Sequence, residues 1–240
     1  MMQELFEREG GKAIITPDDL PYPAKAVSNP GVVEAGGRVV LLLRVEDRSG
    51  RSHLTVARSR NGVDNWQIEK QPLIAPAGGS ADDEHEIGGC EDARITYLAE
   101  LGVYAICYTG HSPDGPVVAA AATKDFTTAC KMGLILPPGN RDAAMFPRRM
   151  GDRWAMLHCP TGSGVERIWV TFSPDLVHWG AARRLIAEVS ALSQKTLDSD
   201  VTSGSIILSR ASVETEQGHF LPHSRVRQVG WRHGSCAASL

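Results

Sequence analysis

Residues 54–66 have the sequence LTVARSRNGVDNW, and residues 168–179 have the sequence IWVTFSPDLVHW. Each combines an apolar, strand-like run, a turn that contains Ser, and a closing Trp. Residues 117–126, VVAAAATKDF, form a degenerate copy with Phe in place of Trp. Copies spaced by about 50 to 65 residues are typical of the blades of a β-propeller, in which each four-stranded unit covers its neighbour's apolar face. Recurring hairpins of a β-sandwich are the alternative.

Short apolar runs outside the repeats have strand lengths rather than helix lengths. Turns that contain Gly precede them, as hairpin-rich sheet proteins require. The runs lie at 39–43, 103–108 and 154–157. The pattern predicts an all-β protein without a strong helix, and 240 residues fit one such domain as readily as two small ones. We favour one.

Composition narrows the class of partner. The formal net charge is −3, and Lys and Arg are spread along the chain. This distribution gives no reason to expect nucleic acid or an anionic membrane as partner, and it suits a small neutral or singly charged substrate. The amino terminus lacks an apolar leader, and no segment approaches the roughly 18 apolar residues of a membrane span. The expectation is a soluble, unexported, cytoplasmic protein.

The five cysteines are far apart and include no Cys-x-x-Cys pair. This spacing indicates reduced thiols and gives no zinc or redox motif. His53, His85 and Cys90 likewise lack a recognisable ligand spacing. The sequence predicts no metal.

Residues 88–94, GGCEDAR, place two adjacent carboxylates, Glu91 and Asp92, and the cation of Arg94 just before an apolar strand. Neighbouring charges of this kind shift one another's proton affinity, and a protonated carboxyl group can expel a sugar or alcohol leaving group. A solvated turn with a local ion pair is the alternative interpretation.

Other polar residues lie at or next to strand ends. In a propeller the inner strands surround a central channel, so residues at the mouth of that channel converge from distant parts of the sequence. The convergence predicts one constellation. Its expected members are Asn29, Arg44, Glu91, Asp92, Arg94, Arg141, Asp142 and His158.

From about residue 19 to residue 187 the sequence resembles glycoside hydrolase family 130, whose members are five-bladed propellers that act on β-mannosides. The order and spacing of several motifs together carry the resemblance. They are SNPG at 28–31, LLRV at 42–45, VARS at 56–59 with Gly62, EDAR at 91–94 where the family usually has Glu-Asp-Pro-Arg, NRDAAMFP at 140–147 where it usually has Asn-Lys-Asp, and SPDLVHW at 173–179.

The resemblance implies that Asp92 is the proton donor of a phosphorylase and acts through a sugar hydroxyl that relays the proton. Phosphate then attacks the anomeric carbon from the opposite face, which inverts the configuration and releases mannose 1-phosphate. Phosphate is already an anionic nucleophile, so no general base is required. No cofactor is implied; the partners are a small oligosaccharide and inorganic phosphate as co-substrate.

The resemblance also implies binding roles for the remaining residues. Because arginines hold phosphate bidentately, all four arginines of the motifs are candidates for the phosphate site. The expected substrate-binding residues are Asn29, Arg44, Glu91, Arg94 and Asp142, and the expected phosphate-binding residues are Arg58, Arg141 and His158.

Structural roles are the alternatives. Arg58 and Arg60 share one face of a strand, which solvent would cover. His158 ends an apolar strand as a buried structural histidine would. Glu91 would mainly orient Arg94, and the repeated Trp66 and Trp179 would pack the blades.

Cys159 stands where the family resemblance leads us to expect a second arginine, which removes a phosphate contact. A β-mannoside hydrolase is therefore an alternative function, and a second carboxylate would then activate water. Its candidates are Glu46, Asp47, Asp82, Asp83, Glu84 and Glu86. An inactive, sugar-binding propeller remnant is the third possibility.

The predicted division of the chain is residues 1–187, the blades of one catalytic domain, and residues 188–240, a divergent tail. The tail is rich in Ser and Arg and has little strand periodicity, as in a disordered, truncated or out-of-frame segment. A propeller of about three and a half blades would have open edge strands and be incomplete at its C-terminal end. A homo-oligomer is compatible with such edges.

Overall fold

The protein is described by a computed structural model that covers residues 13–76, 81–161 and 168–185, with the side chains of 81–83 excepted, and the backbone of four later strands. Three antiparallel sheets of four strands follow one another along the chain. The described residues include two short 3-10 helices, Pro17–Asp19 and Ala81–Glu86, and no α-helix.

Each sheet keeps its strands in chain order, as a propeller blade does. The first blade contains β1 (Ala26–Ala35), β2 (Arg38–Glu46), β3 (Ser52–Ser59) and β4 (Gln67–Ile68). The second contains β5 (Cys90–Leu98), β6 (Val103–Ser112), β7 (Gly115–Thr123) and β8 (Cys130–Leu136). The third contains β9 (Asn140–Met145), β10 (Trp154–Pro160), β11 (Trp169–Ser173) and β12 (Gly180–Arg184).

The sequence repeat corresponds to the third strand of each blade and the turn after it. In the third blade the Ser173 hydroxyl accepts hydrogen bonds from the backbone N–H groups of the next turn, and the Trp179 indole donates to the carbonyl of Leu176 at 3.0 Å. Trp66 makes the same kind of bond to Val63 in the first blade. Both tryptophans also pack against core clusters, so they are blade-packing residues.

Apolar side chains fill the spaces between blades. One cluster joins the first and second blades and includes Leu42, Leu54, Ile106 and Tyr108. A second joins the second and third blades around Trp154, which is 2% exposed. Burial on both faces explains why the second strands are almost continuously hydrophobic rather than alternating.

The first strand of each blade is the inner strand, and these strands, β1, β5 and β9, contact one another in sequence. Each of them carries a β-bulge at the same end. The register shifts occur between Ser28 and Gly31, between Glu91 and Arg94, and opposite the step from Leu157 to Cys159. The residue at each bulge has a left-handed backbone, with φ of +43° at Asn29, +51° at Asp92 and +55° at Asp142. Asn and Asp tolerate this conformation better than most side chains. The bulges therefore place three equivalent polar residues at one end of adjacent blades.

Gly31 allows the first two inner strands to approach closely. A Cβ atom on Gly31 would lie 2.8 Å from the carbonyl oxygen of Ala93, which is backbone and cannot rotate away. We expect Gly31→Ala to lower the free energy of unfolding by about 1–3 kcal/mol, the usual cost of overpacking. Urea denaturation measures this. Gly180→Ala is the matched control because its Cβ would meet nothing within 4 Å, and equal midpoints for both variants would contradict the prediction.

The all-β, propeller-type prediction is confirmed, and the predicted runs at 39–43, 103–108 and 154–157 lie within β2, β6 and β10. Four short strands lie in the predicted tail, where periodicity was weak. They are β13 (Gly204–Leu208), β14 (Val213–Thr215), β15 (Gly218–Phe220) and β16 (His223–Arg227). β13 pairs with β16 and lies beside β9 and β10. The division of the chain at residue 187 stays a prediction, and the remainder of the tail lies outside the described residues.

Candidate active site

The Asp92 carboxylate is held from the first blade. Its Oδ1 atom accepts a hydrogen bond from Asn29 Nδ2 at 3.0 Å and another from Arg44 Nη1 at 3.1 Å. Within the described part of the chain, Oδ2 accepts no comparable bond. Asn29 and Asp92 occupy equivalent bulges, so the shared backbone geometry brings them together. One carboxylate oxygen is thus fixed, and the other is available for chemistry.

Glu91 is the centre of a second group of contacts. Its Oε1 atom lies 2.6 Å from Arg44 Nη2 and accepts a hydrogen bond from Ser52 Oγ at 3.0 Å. Its Oε2 atom lies 2.9 Å from His111 Nε2. Arg44 therefore bridges Glu91 and Asp92, and the structure pairs Glu91 with Arg44 rather than with Arg94.

These contacts change proton affinities. Burial raises the pKa of Glu91, but the hydrogen bond from His111 and the charge of Arg44 outweigh burial, so the pKa lies below its ordinary value. The hydrogen bond to Glu91 raises the pKa of His111 above its ordinary value of 6.5, against the effect of burial. The pair therefore favours a carboxylate and an imidazolium.

A buried ion pair links the second and third blades. Arg94 Nη2 lies 2.8 Å from Asp142 Oδ1, and the two residues are 8% and 4% exposed. Arg94 also donates to the backbone carbonyl of Asp92. Arg141 Nε lies 3.4 Å from Asp142 Oδ2, so the contacts continue from Asp92 to the third blade.

His158 is buried beside Asn140, with its Nδ1 atom 2.8 Å from Asn140 Oδ1. Asn140 Nδ2 donates to the carbonyl of Pro137 at 3.0 Å, which sets the orientation of the amide, so Nδ1 of His158 is the donor. Burial lowers the pKa of His158 to about 4. The ring is neutral at pH 7, and its Nε2 atom, which has no hydrogen-bond partner among the described residues, is an acceptor. A hydrogen bond donated from Nε2 to phosphate would require a protonated ring.

The structure does not bring Arg58 to this cluster. Ser52 begins β3 at the cluster, and Arg58 lies six residues later, about 20 Å along an extended strand. Arg58 instead forms an ion pair with Glu69 at 2.5 Å. It also donates a hydrogen bond to the carbonyl of Phe126 at 2.9 Å, which links the first blade to the turn that follows β7 in the second. A motif position does not reveal which end of a strand it occupies, and the phosphate-binding role of Arg58 stays a prediction.

Ser52 and His111 belong to the cluster but were not predicted. His111 lies beyond the apolar run at 103–108, because β6 continues through Gly110 to Ser112. The strand-end criterion that selected Arg44 and His158 would have selected His111 if the strand had been extended. Ser52 has no comparable sequence signal, since a single Ser at the start of a strand is common.

None of the described carboxylates proposed to activate water makes a side-chain hydrogen bond or ion pair to Asp92 or to the side chains that hold it. Glu46 pairs with Lys25 at 2.5 Å. Asp47 accepts hydrogen bonds from the backbone N–H groups of Ser49 and Arg51 in its own turn. Glu86 is buried and accepts hydrogen bonds from the Tyr108 hydroxyl and the Lys131 ammonium group. Glu84 is exposed, and the side chains of Asp82 and Asp83 lie outside the described residues. Cys159 is fully buried in the apolar cluster of the third blade.

The blades and their shared polar end define a propeller-type protein with a carboxylate and arginine cluster at the ends of its inner strands. The chain belongs to glycoside hydrolase family 130: residues 7–221 match the family model described as beta-1,4-mannooligosaccharide phosphorylase. The predicted family is confirmed, and the match continues beyond residue 187.

Curated relatives carry phosphorylase names. The chain is 30% identical over 137 residues to the beta-1,2-mannobiose phosphorylase of Listeria innocua, which is 56% of this chain and 36% of the relative. It is 28% identical over 185 residues to the 1,2-beta-oligomannan phosphorylase of a Thermoanaerobacter species, which is 72% of this chain and 58% of the relative. The chain thus spans about a third to three fifths of the length of these relatives.

A solved structure of the Listeria innocua enzyme with beta-1,2-mannobiose has the same fold. Its TM-score to this chain is 0.74 at 24% identity, and the match covers 90% of this chain and 73% of that one. Within the described residues, no helix has the length and apolarity to cross a membrane. The described parts of the chain also contain no group of three or more His, Cys, Asp or Glu side chains arranged to hold a metal ion.

Proposed function

We propose that this protein cleaves β-mannosides by inverting phosphorolysis, with Asp92 as the proton donor. The contact that carries the proposal is the fixation of Asp92 Oδ1 by Asn29 and Arg44, which leaves Oδ2 to hold the acidic proton. The phosphorylase names of the relatives support the reaction class.

In the proposed reaction one proton moves from Asp92 to the leaving group, and phosphate replaces that group at the anomeric carbon. Asp92 Oδ2 gives its proton to a sugar hydroxyl, and that hydroxyl gives its own proton to the glycosidic oxygen. A phosphate oxygen forms a bond to the anomeric carbon as the bond to the glycosidic oxygen breaks, which yields mannose 1-phosphate and an acceptor sugar. Arg44 and Asn29 stabilise the carboxylate that remains on Asp92.

Arg141 would be the main cation for phosphate. Its side chain is 35% exposed, whereas that of Arg94 is 8% exposed and paired with Asp142. His158 would contribute as an acceptor, from its neutral Nε2 atom to the hydroxyl of a protonated phosphate or of the sugar. Arg94 and Asp142 would set the position of the sugar site, and Glu91 would act by orienting Arg44.

Hydrolysis is less well supported. An inverting hydrolase needs a second carboxylate across the sugar, at about 6.5–9.5 Å from the first. Three of the four described candidates, Glu46, Asp47 and Glu86, have hydrogen-bond or ion-pair partners outside the Asp92 cluster, and Glu84 is exposed. Phosphate as nucleophile removes this requirement.

The deciding experiment supplies β-1,2- and β-1,4-linked mannobiose with and without inorganic phosphate. We expect mannose 1-phosphate only in the presence of phosphate, with the β-1,2 linkage preferred because the relatives at 30% and 28% identity carry β-1,2 names. Free mannose without phosphate would establish a hydrolase. A rise in melting temperature with mannobiose but without product would establish a sugar-binding protein.

A further inference from the structure

His111 completes a chain of alternating charges that ends at Asp92. Its Nε2 atom lies 2.9 Å from Glu91 Oε2, Glu91 Oε1 lies 2.6 Å from Arg44, and Arg44 lies 3.1 Å from Asp92. Arg44 Nε also donates to Ser52 Oγ at 3.3 Å. Neither motif comparison nor the proposed chemistry gives His111 a role.

Backbone contacts fix His111 from one side. Gly88 N donates to the His111 carbonyl at 2.9 Å, and His111 N donates to the Gly89 carbonyl at 3.1 Å. A Cβ on Gly88 would lie 2.8 Å from Cβ of His111, so glycine is needed for this approach. The imidazole therefore faces Glu91 from a constrained position, while 44% of its side chain stays exposed to solvent and can exchange protons.

We propose that His111 is a positioning residue that acts through Glu91 to hold Arg44 against Asp92. Glu91 and Asp92 both draw on the single guanidinium of Arg44. A cationic His111 holds one oxygen of Glu91 strongly, which leaves Arg44 free to hold Asp92. A neutral His111 holds that oxygen more weakly, so Glu91 competes more strongly for Arg44. The proposal rests on the proposed function in that Asp92 is the acid.

The direction of the pH effect follows from the contacts. The charged groups facing His111 are Glu91 and Asp92 on β5 and Arg44 on β2; the two carboxylates raise its pKa, and Arg44 and burial lower it, with a net rise. The stabilising positive charge of His111 is fully present below pH 6.5 and is lost as pH rises through the elevated pKa of His111. Positioning of Asp92 should weaken over the same interval.

Steady-state kinetics of mannose 1-phosphate release test the effect on catalysis. At pH 6 we expect His111→Gln to lower kcat by roughly three- to tenfold, the net value of one ordinary hydrogen bond, with little change in KM. The difference from wild type should shrink as pH rises through the elevated pKa of His111. His178→Gln is the control, because His178 also pairs with a carboxylate, Asp175, but is 82% exposed on a distant turn. A wild-type to His111→Gln ratio that stays constant with pH, or a change in melting temperature alone, would overturn the proposal.

A measurement without turnover separates this proposal from the proposed function. The imidazole proton resonance of His111, identified by its loss in His111→Gln, reports its titration by NMR. We expect Glu91→Gln to lower the pKa strongly and Asp92→Asn to lower it by a smaller amount, since coupling between two sites is reciprocal. Asp152→Asn, on an exposed turn, should leave it unchanged. If the pKa of His111 is the same in Asp92→Asn as in the wild type, the coupling between His111 and Asp92 is refuted. This outcome can be read even if the wild type proves inactive.

Discussion

Asp92→Asn should reduce mannose 1-phosphate release by about 10²- to 10⁴-fold, the range that general acid catalysis contributes. The amide keeps the shape of the side chain, tolerates the left-handed backbone of this position and still offers Oδ1 to Asn29 and Arg44. It has no acidic proton. The loss should therefore appear in kcat rather than KM, as measured by initial rates over a range of mannobiose concentrations.

Asp114→Asn is the control for the loss of a negative charge, because Asp114 is exposed at the hairpin between β6 and β7. It should retain full activity. Melting temperatures of all three proteins show whether they are folded. Turnover by Asp92→Asn within a few fold of wild type would mean that another group supplies the proton.

Asp142→Asn should produce the largest loss of stability, about 3 kcal/mol in the free energy of unfolding. The substitution leaves the buried guanidinium of Arg94 without its carboxylate at 2.8 Å, and burial prevents water from replacing it. Asparagine suits the positive φ of this position, so the change isolates the loss of charge. Urea denaturation at pH 7 measures the effect.

The exposed Asp152 serves as the control, because its side chain is 95% exposed and Asp152→Asn should change stability by less than about 0.5 kcal/mol. Adding Arg94→Met to Asp142→Asn should restore part of the lost stability, since the uncompensated charge is then gone. Equal losses for Asp142→Asn and Asp152→Asn would show that the Arg94 pair does not stabilise the fold.

The fold could be predicted because repetition amplifies a weak local signal. Each turn-and-Trp unit alone is compatible with any hairpin, but copies near residues 54, 117 and 168 require similar units that stack. Polar residues next to strand ends, among them Asn29, Asp92 and Asp142, likewise predicted a cluster at the mouth of the channel once the propeller was inferred.

Pairing within the site could not be predicted. Register and bulges decide which side chains meet, and a shift of one residue reverses the face on which a side chain lies. Glu91 therefore pairs with Arg44 from another blade rather than with Arg94 three positions later. Protonation of His158 likewise depends on burial and on Asn140, which the strand pattern does not reveal.

The left-handed bulges restrict which sequences can carry this site. Gly, Asn and Asp adopt the backbone found at residues 29, 92 and 142 at the lowest cost, and glycine offers no functional group. Among residues with a functional group, this backbone therefore favours the amide of Asn or the carboxylate of Asp at each blade. New specificity would arise more easily from the positions flanking the bulges, such as Glu91 and Arg141, where the backbone imposes no such restriction.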